Sequence, residues 1–228
     1  FNGLTGARQH VGNWPGVTVE KKEGSLKHKG QHVHVVDLPG TYSLTAFSLE
    51  EIIARNFIVD EGPDIVINVV DASNLERNLY LTVQLLEMGC KVVIALNMID
   101  VASSRGIDIN AAELAELFGA PVIATNGKKN VGLEQLLDTV IYEVRNPESQ
   151  KDLLSLNYGI EIEEELEKIE LALQKSNLQD AFLSNRWLSI KLLEGDVEIS
   201  KKIHTYPNHA VIFSQIDKSR QHLSDIFG

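Results

Sequence analysis

Two hydrophobic patterns alternate through the first two thirds of the chain. Short runs of apolar, mostly β-branched residues predict buried strands at 64–71, 91–97 and 121–125. Apolar residues at helical spacing predict helices at 49–59, 75–88, 110–118 and 131–144. Strands that alternate with helices are typical of an α/β fold, a mostly parallel sheet flanked by helices. Ligands of such folds bind at the carboxyl ends of the strands.

A hairpin pattern precedes this alternation. Residues 17–37 contain two extended stretches on either side of Lys29-Gly30, and His32 and His34 alternate with valines as in a strand. Ser48 and Glu51 then have the spacing of a capping box. The sequence therefore predicts a β-hairpin followed by a capped helix.

The pattern changes at Asn146-Pro147. Beyond it β-branched runs almost disappear, and Leu, Glu and Lys dominate at helical spacing. The helices predicted there are 160–174, 179–183, 186–193, 197–203 and 208–227. We therefore expect two domains, an α/β domain over residues 1–146 and a small all-α domain over residues 147–228.

Composition narrows the class of protein. The 228 residues carry a formal net charge of −11, and 43% of them are hydrophobic, which is ordinary for a folded globular chain. The negative charge argues against a nucleic-acid partner, because phosphate binding needs clustered Lys and Arg. The single cysteine, Cys90, excludes an internal disulfide and is consistent with a reducing compartment.

The apolar runs and the first residue indicate whether the sequence contains a membrane span or a signal peptide. No run approaches the roughly 18 residues that span a bilayer, so we expect these residues to be soluble. The sequence begins at Phe1 rather than at a methionine and has no signal-peptide pattern there. We expect it to be cut at its start.

Polar motifs stand at two predicted strand ends. Asp37-Leu38-Pro39-Gly40 offers an acidic side chain near a Mg²⁺ shell and a glycine amide that can approach a γ-phosphate. Asn97-Met98-Ile99-Asp100 offers a carboxylate that can accept from the N1 and N2 hydrogens of guanine, whereas adenine lacks matching donors.

Each motif alone has an ordinary alternative. The first can be a simple turn and the second a helix cap. Their occurrence together, in the order that a nucleotide-binding α/β fold requires, favours the nucleotide site. Upstream, the glycine- and proline-rich segment 12–18 delivers Thr18 to the start of a strand, where its hydroxyl can ligate Mg²⁺ and its amide can meet the γ-phosphate.

These segments resemble a known family. Residues 13–20, 37–44 and 97–100 are similar to the switch I, switch II and guanine-specificity segments of FeoB transporters, including Met98 where most small GTPases have Lys. Residues 186–196 resemble part of the FeoB helical domain. The resemblance covers nearly the whole chain and implies a P-loop GTPase-type sheet followed by a helical, GDI-like domain.

The resemblance implies a set of site residues. Thr18 and Gly40 would be catalytic, Thr18 and Asp37 would bind Mg²⁺, and the backbones of Gly12 and Trp14 would contact K⁺. The residues that would bind GTP or GDP are Gly16, Val17, Thr18, Val19, Asp37, Leu38, Pro39, Gly40, Asn97, Met98, Asp100, Thr125, Asn126 and Gly127.

The resemblance also implies a biological setting. It predicts slow GTP hydrolysis, with K⁺ as a stimulating ion, at the cytoplasmic face of a cell membrane, where the nucleotide state regulates Fe²⁺ uptake. The implied partners are a guanine nucleotide and a membrane-spanning region of the same polypeptide, and a homo-oligomer is a further state to test.

Three departures from the usual GTPase pattern accompany the resemblance. The first strand and its phosphate-binding loop are expected just before Phe1. Thr125-Asn126-Gly127 takes the place of the more usual Ser-Ala in the last guanine-contacting loop. Thr41 follows Gly40, where many small GTPases place a water-orienting Gln, and Thr is too short for that role.

Other interpretations remain open. An Era- or Der-like GTPase of ribosome assembly would fit the motifs but predicts a basic appendage, and a non-hydrolysing interaction module would fit a chain without its phosphate loop. His32 and His34, with His28 nearby, are interpreted as part of an exposed hairpin face rather than as a metal site. Cys90 is interpreted as a small buried hydrophobe, and the acidic run 161–165 as a solvated helix face.

Overall fold

The structure, a computed structural model, describes residues 1–6, 9–45, 48–146, 149–150, 156–176 and 184–228. The chain divides into two compact units. The first comprises Phe1–Leu86 with Lys91–Leu154, and the second comprises Glu87–Cys90 with Ser155–Gly228. Each unit is described by itself.

The first unit begins with a short helix, α1 (Asn2–Thr5), and a three-stranded antiparallel sheet. Its strands are β1 (Gln9–Asn13), β2 (Glu20–His28) and β3 (Gln31–Asp37). β2 and β3 form the predicted hairpin, and Lys29 and Gly30 both have positive φ angles, 45° and 82°, as a two-residue hairpin turn requires.

β1 was not predicted, and Thr18 does not start a strand as expected. Residues 9–13 have little strand character of their own, and they are extended because they pair with β2 from Gln9 opposite Gly24 to Asn13 opposite Glu20. Thr18 lies in the turn between the two strands, two residues before β2. The segment interpreted as one loop is therefore the end of a strand followed by a tight turn.

A parallel sheet follows, and it confirms the predicted fold class. Its strands are β4 (Val66–Asp71), β5 (Val92–Asn97) and β6 (Val122–Thr125), with β5 in the centre. The further α-helices described in this unit are α2 (Leu49–Glu61), α3 (Leu75–Glu87), α4 (Ile99–Ser104), α5 (Ala111–Phe118) and α6 (Leu133–Arg145). One buried hydrophobic cluster against this sheet is formed by Val93, Ala95, Ile123, Leu136 and Val140.

Local signals account for the helix starts. The capping box at Ser48 is present, with Glu51 N–H donating to the Ser48 hydroxyl at 3.2 Å and the Glu51 carboxylate accepting from Ser48 N–H. The Asn110 side chain accepts from the amides of Ala112 and Glu113 at the start of α5. α4 was not predicted because its six residues are too few to show a helical period.

The second unit contains the predicted helices α7 (Ile160–Lys175), α8 (Asn185–Glu194), α9 (Val197–His204) and α10 (His209–Phe227). Trp187, Leu192 and Ile212 are almost fully buried at its centre. Arg186 binds the Glu163 carboxylate with two donors, at 2.7 and 2.8 Å. The helix predicted at 179–183 lies outside the described residues. Among the described helices, none is both long and apolar enough to cross a bilayer.

Candidate guanine-nucleotide site

The carboxyl ends of the parallel strands bring three polar side chains into one row. Asp71, at the end of β4, is paired with Asn97, at the end of β5, and Asn97 is paired with Thr125, at the end of β6. Parallel strands end at the same edge of a sheet, so the turns that follow them meet there. Two of the turns predicted to contact guanine, after β5 and after β6, are therefore neighbours.

Asn97 joins these two turns directly. Its side-chain oxygen accepts a hydrogen bond from the backbone N–H of Gly127 at 3.1 Å. Met98, the next residue, has a φ of 60° in the left-handed region and stands at the N-terminus of α4 with 39% of its surface exposed. Asp100 follows in the first turn of α4.

The Asp100 carboxylate is held by three donors. Oδ2 accepts from the Asn126 side-chain amide at 2.9 Å and from the Lys129 ammonium at 3.1 Å. Oδ1 accepts from the backbone N–H of Val101 at 3.1 Å. The Lys129 hydrogen bond is the largest of the effects that keep the pKa of Asp100 below its ordinary value. The carboxylate is therefore ionised and oriented at neutral pH.

The loop from Asn126 to Gly132 that carries these donors has a fixed shape. Asn126 and Val131 exchange two backbone hydrogen bonds of 3.0 and 3.1 Å, and Asn126 Oδ1 accepts from Lys129 N–H at 3.0 Å. Gly132 has a φ of 79°, and a Cβ there would stand 2.2 Å from the Ala124 carbonyl oxygen. Only glycine fits where this loop passes so close to the strand.

Lys129 was missed by sequence reasoning. Its side chain reaches back to a residue 29 positions earlier, and this pairing has no periodic signal. The only trace in the sequence is the doublet Lys128-Lys129 in the loop that follows the last strand.

The predicted phosphate-side residues lie on the antiparallel sheet of the same unit. Trp14 is 7% exposed and packs edge-on against Phe57, with ring centroids 5.5 Å apart. The backbone N–H of Trp14 donates to the Val19 carbonyl at 2.9 Å, and its backbone carbonyl accepts from Val17 N–H at 3.2 Å. Thr18 is exposed at the tip of this turn. Gly12, the other residue predicted to contact K⁺, lies in β1 opposite Lys21.

Asp37 and Gly40 lie at the end of the hairpin where β3 finishes. Asp37 is the last residue of β3 and is paired with Lys22. A Cβ at Gly40 would meet no atom within 4 Å. The residues just beyond are anchored, because Leu44 N–H donates to the side chain of Gln84 on α3 at 2.6 Å and the Thr41 hydroxyl donates to the Ser43 carbonyl at 2.7 Å. Thr41 is thus engaged within its own turn.

Oxygen donors of the kind that Mg²⁺ prefers are present at the phosphate side, since Thr18 supplies a hydroxyl and Asp37 a carboxylate. Within the described ranges no group of three His, Cys, Asp or Glu side chains could hold a metal ion by itself. His28 is paired with Asp138 at 2.6 Å. Burial raises the pKa of the Cys90 thiol to about 12, so it is protonated and unreactive at neutral pH.

Comparison with known sequences assigns both parts of the chain. The profile described as "Ferrous iron transport protein B" matches residues 1–140, and the profile described as "FeoB cytosolic helical domain" matches residues 158–228. The chain belongs to the FeoB family. Residues 1–140 are accordingly the GTPase-type domain of this family, and the Era- or Der-like interpretation is not favoured.

Individual FeoB proteins agree with this assignment. A Porphyromonas gingivalis protein described as an Fe(2+) transport protein A/Fe(2+) transporter FeoB fusion protein is 42% identical over 220 residues, which are 95% of this chain and 26% of that protein. The cytosolic domain of the T. maritima FeoB iron transporter, solved in GDP form I and in GMPPNP form, matches with a TM-score of 0.79 in both cases. Those matches are 35% identical and cover 99% of this chain and 89% and 90% of the solved chains. The present chain thus spans about a quarter of the length of the curated relatives that it matches.

Proposed function

We propose that this chain binds GTP and GDP and hydrolyses GTP, as the nucleotide-dependent switch of a membrane ferrous-iron transporter. The observation that carries the proposal is the fixed Asp100 carboxylate at the carboxyl edge of the parallel sheet, next to Asn97 and the amide of Gly127. The T. maritima relatives in GDP and GMPPNP forms support the choice of a guanine nucleotide as ligand.

Asp100 would select the base. Guanine presents two adjacent donors, N1–H and the N2 amino group, and one carboxylate can accept both. Adenine presents no such pair of donors and would leave the carboxylate unpaired. Asn97 would hold the Gly127 backbone in place for the guanine oxygen, and Thr125 and Asn126 complete this side of the site.

Thr18 and Gly40 would respond to the γ-phosphate. The turn at 16–19 is exposed and has an oxygen donor at its tip, and the Gly40 amide lies in an uncrowded segment, so both can move to meet an added phosphate. Thr18 and Asp37 would hold Mg²⁺, which supplies charge neutralisation at the β- and γ-phosphates when it is bound with GTP. Val17, Val19, Leu38 and Pro39 would shape the two turns around that phosphate.

Hydrolysis should be slow, because Thr41 is engaged with Ser43 and is too short to orient a water molecule. We further propose that the carbonyls of Gly12 and Trp14 contact K⁺ when the switch is ordered by GTP. Single-turnover GTP hydrolysis in K⁺ should then be at least several times faster than in Na⁺. Equal rates in K⁺ and Na⁺ would contradict the proposed K⁺ contacts, but they would not contradict the proposed nucleotide site.

The wider setting is also a proposal. We place the G domain at residues 1–146 and the helical regulatory domain at 147–228, which is supported by family profiles that end at 140 and resume at 158. The curated relatives are described as Fe(2+) transporters, which supports a place at the cytoplasmic face of the membrane, with a transmembrane region of the same polypeptide as partner. Self-association remains to be tested by its concentration dependence.

The test is a comparison of fluorescent GDP with fluorescent ADP, bound to the natural protein in the presence of Mg²⁺. GDP should bind at least about 100-fold more tightly, because adenine cannot donate the two hydrogen bonds that guanine makes to the Asp100 carboxylate. Asp100→Ala should lower GDP affinity to the level of ADP, whereas Asp108→Ala, which removes an exposed aspartate of the same unit, should leave it unchanged. Equal binding of GDP and ADP by the unmodified protein would contradict the proposal.

A further inference from the structure

The Asp100 carboxylate already uses most of its acceptor capacity. Each carboxylate oxygen can accept about two hydrogen bonds. Oδ2 accepts from Asn126 at 2.9 Å and from Lys129 at 3.1 Å, so its capacity is used. Oδ1 accepts from Val101 N–H at 3.1 Å and has one position left.

Guanine needs one acceptor position on each oxygen. Its N1–H and N2–H donors lie side by side, so they approach Oδ1 and Oδ2 together rather than sharing one oxygen. Oδ1 can accept the first, but Oδ2 can accept the second only if Asn126 or Lys129 leaves. Binding of the base therefore requires one of the two present donors to move.

Asn126 is the donor that stays. Its side chain is short and half-buried, and its own oxygen accepts from Lys129 N–H at 3.0 Å. Its backbone N–H and carbonyl are both bonded to Val131. Turning its side chain away from Asp100 would therefore also break the hydrogen bond that Asn126 Oδ1 accepts from Lys129 N–H, while the backbone of Asn126 stays fixed.

Lys129 is the donor that can leave. Its side chain is 65% exposed, and Asp100 is 48% exposed, so this ion pair stands in water. Such exposed pairs contribute little to stability, and a flexible lysine side chain can move away without disturbing the backbone.

We propose that the Lys129 ammonium occupies the guanine-binding carboxylate when no nucleotide is bound, so that every guanine nucleotide must displace it. Lys129 then acts as a built-in competitor that lowers affinity for GDP and GTP, while Asn126 remains as the positioning residue. The inference rests on the proposed function, because it takes Asp100 as the acceptor of guanine. It predicts that removal of a positive charge tightens the binding of a negatively charged ligand, which is the opposite of the usual electrostatic expectation.

The experiment compares Lys129→Met with Lys128→Met in the natural protein. Both variants remove one exposed charge from the same loop, so their general effect on the attraction of phosphates is matched. The readouts are the dissociation constant and release rate of fluorescent GDP, with fluorescent ADP as a base-independent reference, at 50 and 400 mM NaCl. Lys129→Gln, which keeps two donors without the charge, provides a second variant.

We expect Lys129→Met to bind GDP about two- to fivefold more tightly than Lys128→Met at low salt, as an exposed ion pair would give. The difference should shrink at high salt, because screening already weakens the pair in the unmodified loop. ADP binding should not distinguish the two variants, and Lys129→Gln should fall between the unmodified protein and Lys129→Met.

Two results would overturn the inference in different ways. Equal or weaker GDP binding by Lys129→Met than by Lys128→Met would show that Lys129 does not compete with the base, and the proposed function would survive. If the unmodified protein showed no preference for GDP over ADP, both the proposed function and the role of Lys129 would be contradicted.

Discussion

The two ends of the candidate nucleotide site are built differently. At the base end, Asn126 donates to Asp100 at 2.9 Å and Asn97 accepts from Gly127 N–H at 3.1 Å, and Gly132 lies where no larger residue fits. At the phosphate end, Thr18 is exposed and Gly40 has open space around it. The base end is thus fixed by its own hydrogen bonds, whereas the phosphate end keeps room to rearrange.

The two ends also differ in how completely their polar groups are hydrogen-bonded. At the base end, the side chains of Asn97, Asp100 and Asn126 each make at least one hydrogen bond to a neighbouring residue. At the phosphate end, the buried indole N–H of Trp14 has no acceptor among the residues that the structure describes. A buried donor without a partner is unfavourable by about 1–3 kcal/mol, so this conformation of the turn carries a penalty that the base end does not show. This contrast is what a switch requires: a rigid site that recognises the base and a poised segment that responds to the phosphate.

The largest effect is expected from Gly132→Ala. The added Cβ would stand 2.2 Å from a backbone oxygen at a φ of 79°, so the loop must shift. We expect a loss of stability of about 3 kcal/mol or more and a loss of GDP binding. Thermal unfolding and GDP titration measure both.

Gly106→Ala is the matched control for this prediction. Gly106 has a similar φ of 74° but open space at the Cβ position, so only the backbone strain of about 1 kcal/mol should remain. If the two variants lost equal stability, the close approach at Gly132 would not be what fixes the loop.

A smaller and different effect is expected from Thr18→Ala. Removal of the hydroxyl should lower single-turnover GTP hydrolysis by about 10- to 100-fold, because it takes away an oxygen ligand and a switch contact. GDP affinity should change less than twofold, since the base end is untouched. Thr18→Ser should restore most of the rate. Similar losses of GDP affinity and hydrolysis would contradict a separate role for the two ends.

Asn97→Ala should have a more modest effect. It removes the acceptor of Gly127 N–H, which is bonded at 3.1 Å, and should lower GDP affinity about fivefold to tenfold. Hydrolysis of bound GTP should keep its rate, and that rate is measured at saturating protein. A slower rate at saturation would show that Asn97 also acts on the phosphate end.

The smallest effect is expected from pH. The pKa of Asp100 is held below its ordinary value of about 4, chiefly by the hydrogen bond from Lys129. The preference for guanine that the ionised carboxylate provides is therefore fully present above about pH 4, and it is lost only as the pH falls through the lowered pKa. The ratio of GDP to ADP affinity, in which titration of the phosphates cancels, should stay constant from pH 7.5 to 5.5. A ratio that falls within this window would mean that Asp100 is not held as an anion.

The sequence allowed candidate site residues to be proposed wherever a polar group followed a strong strand pattern. Asp37, Asn97 and Asp100 follow runs of apolar residues, so both their type and their place could be read from the sequence. The hairpin turn at Lys29-Gly30 and the cap at Ser48 were equally accessible, because they depend on neighbours within a few residues. Local chemistry predicted these elements without knowledge of the fold.

Features that depend on distant pairing were missed. β1 is a strand only because β2 lies beside it, and Lys129 finds Asp100 only because β5 and β6 are adjacent. The positive φ of Met98 and the short helix α4 also have no periodic pattern. These features arise when the sheet is assembled, so residue types and spacing alone do not indicate them.

The most direct test of the central claim, that Asp100 selects guanine, is the relative affinity of GDP and xanthosine diphosphate for the unmodified protein and for Asp100→Asn. Xanthine carries an oxygen where guanine carries the N2 amino group, so the Asn amide can donate to it and the Asp carboxylate cannot. We predict that the unmodified protein prefers GDP and that Asp100→Asn prefers the xanthine nucleotide. An unchanged preference for GDP in the variant would contradict the account.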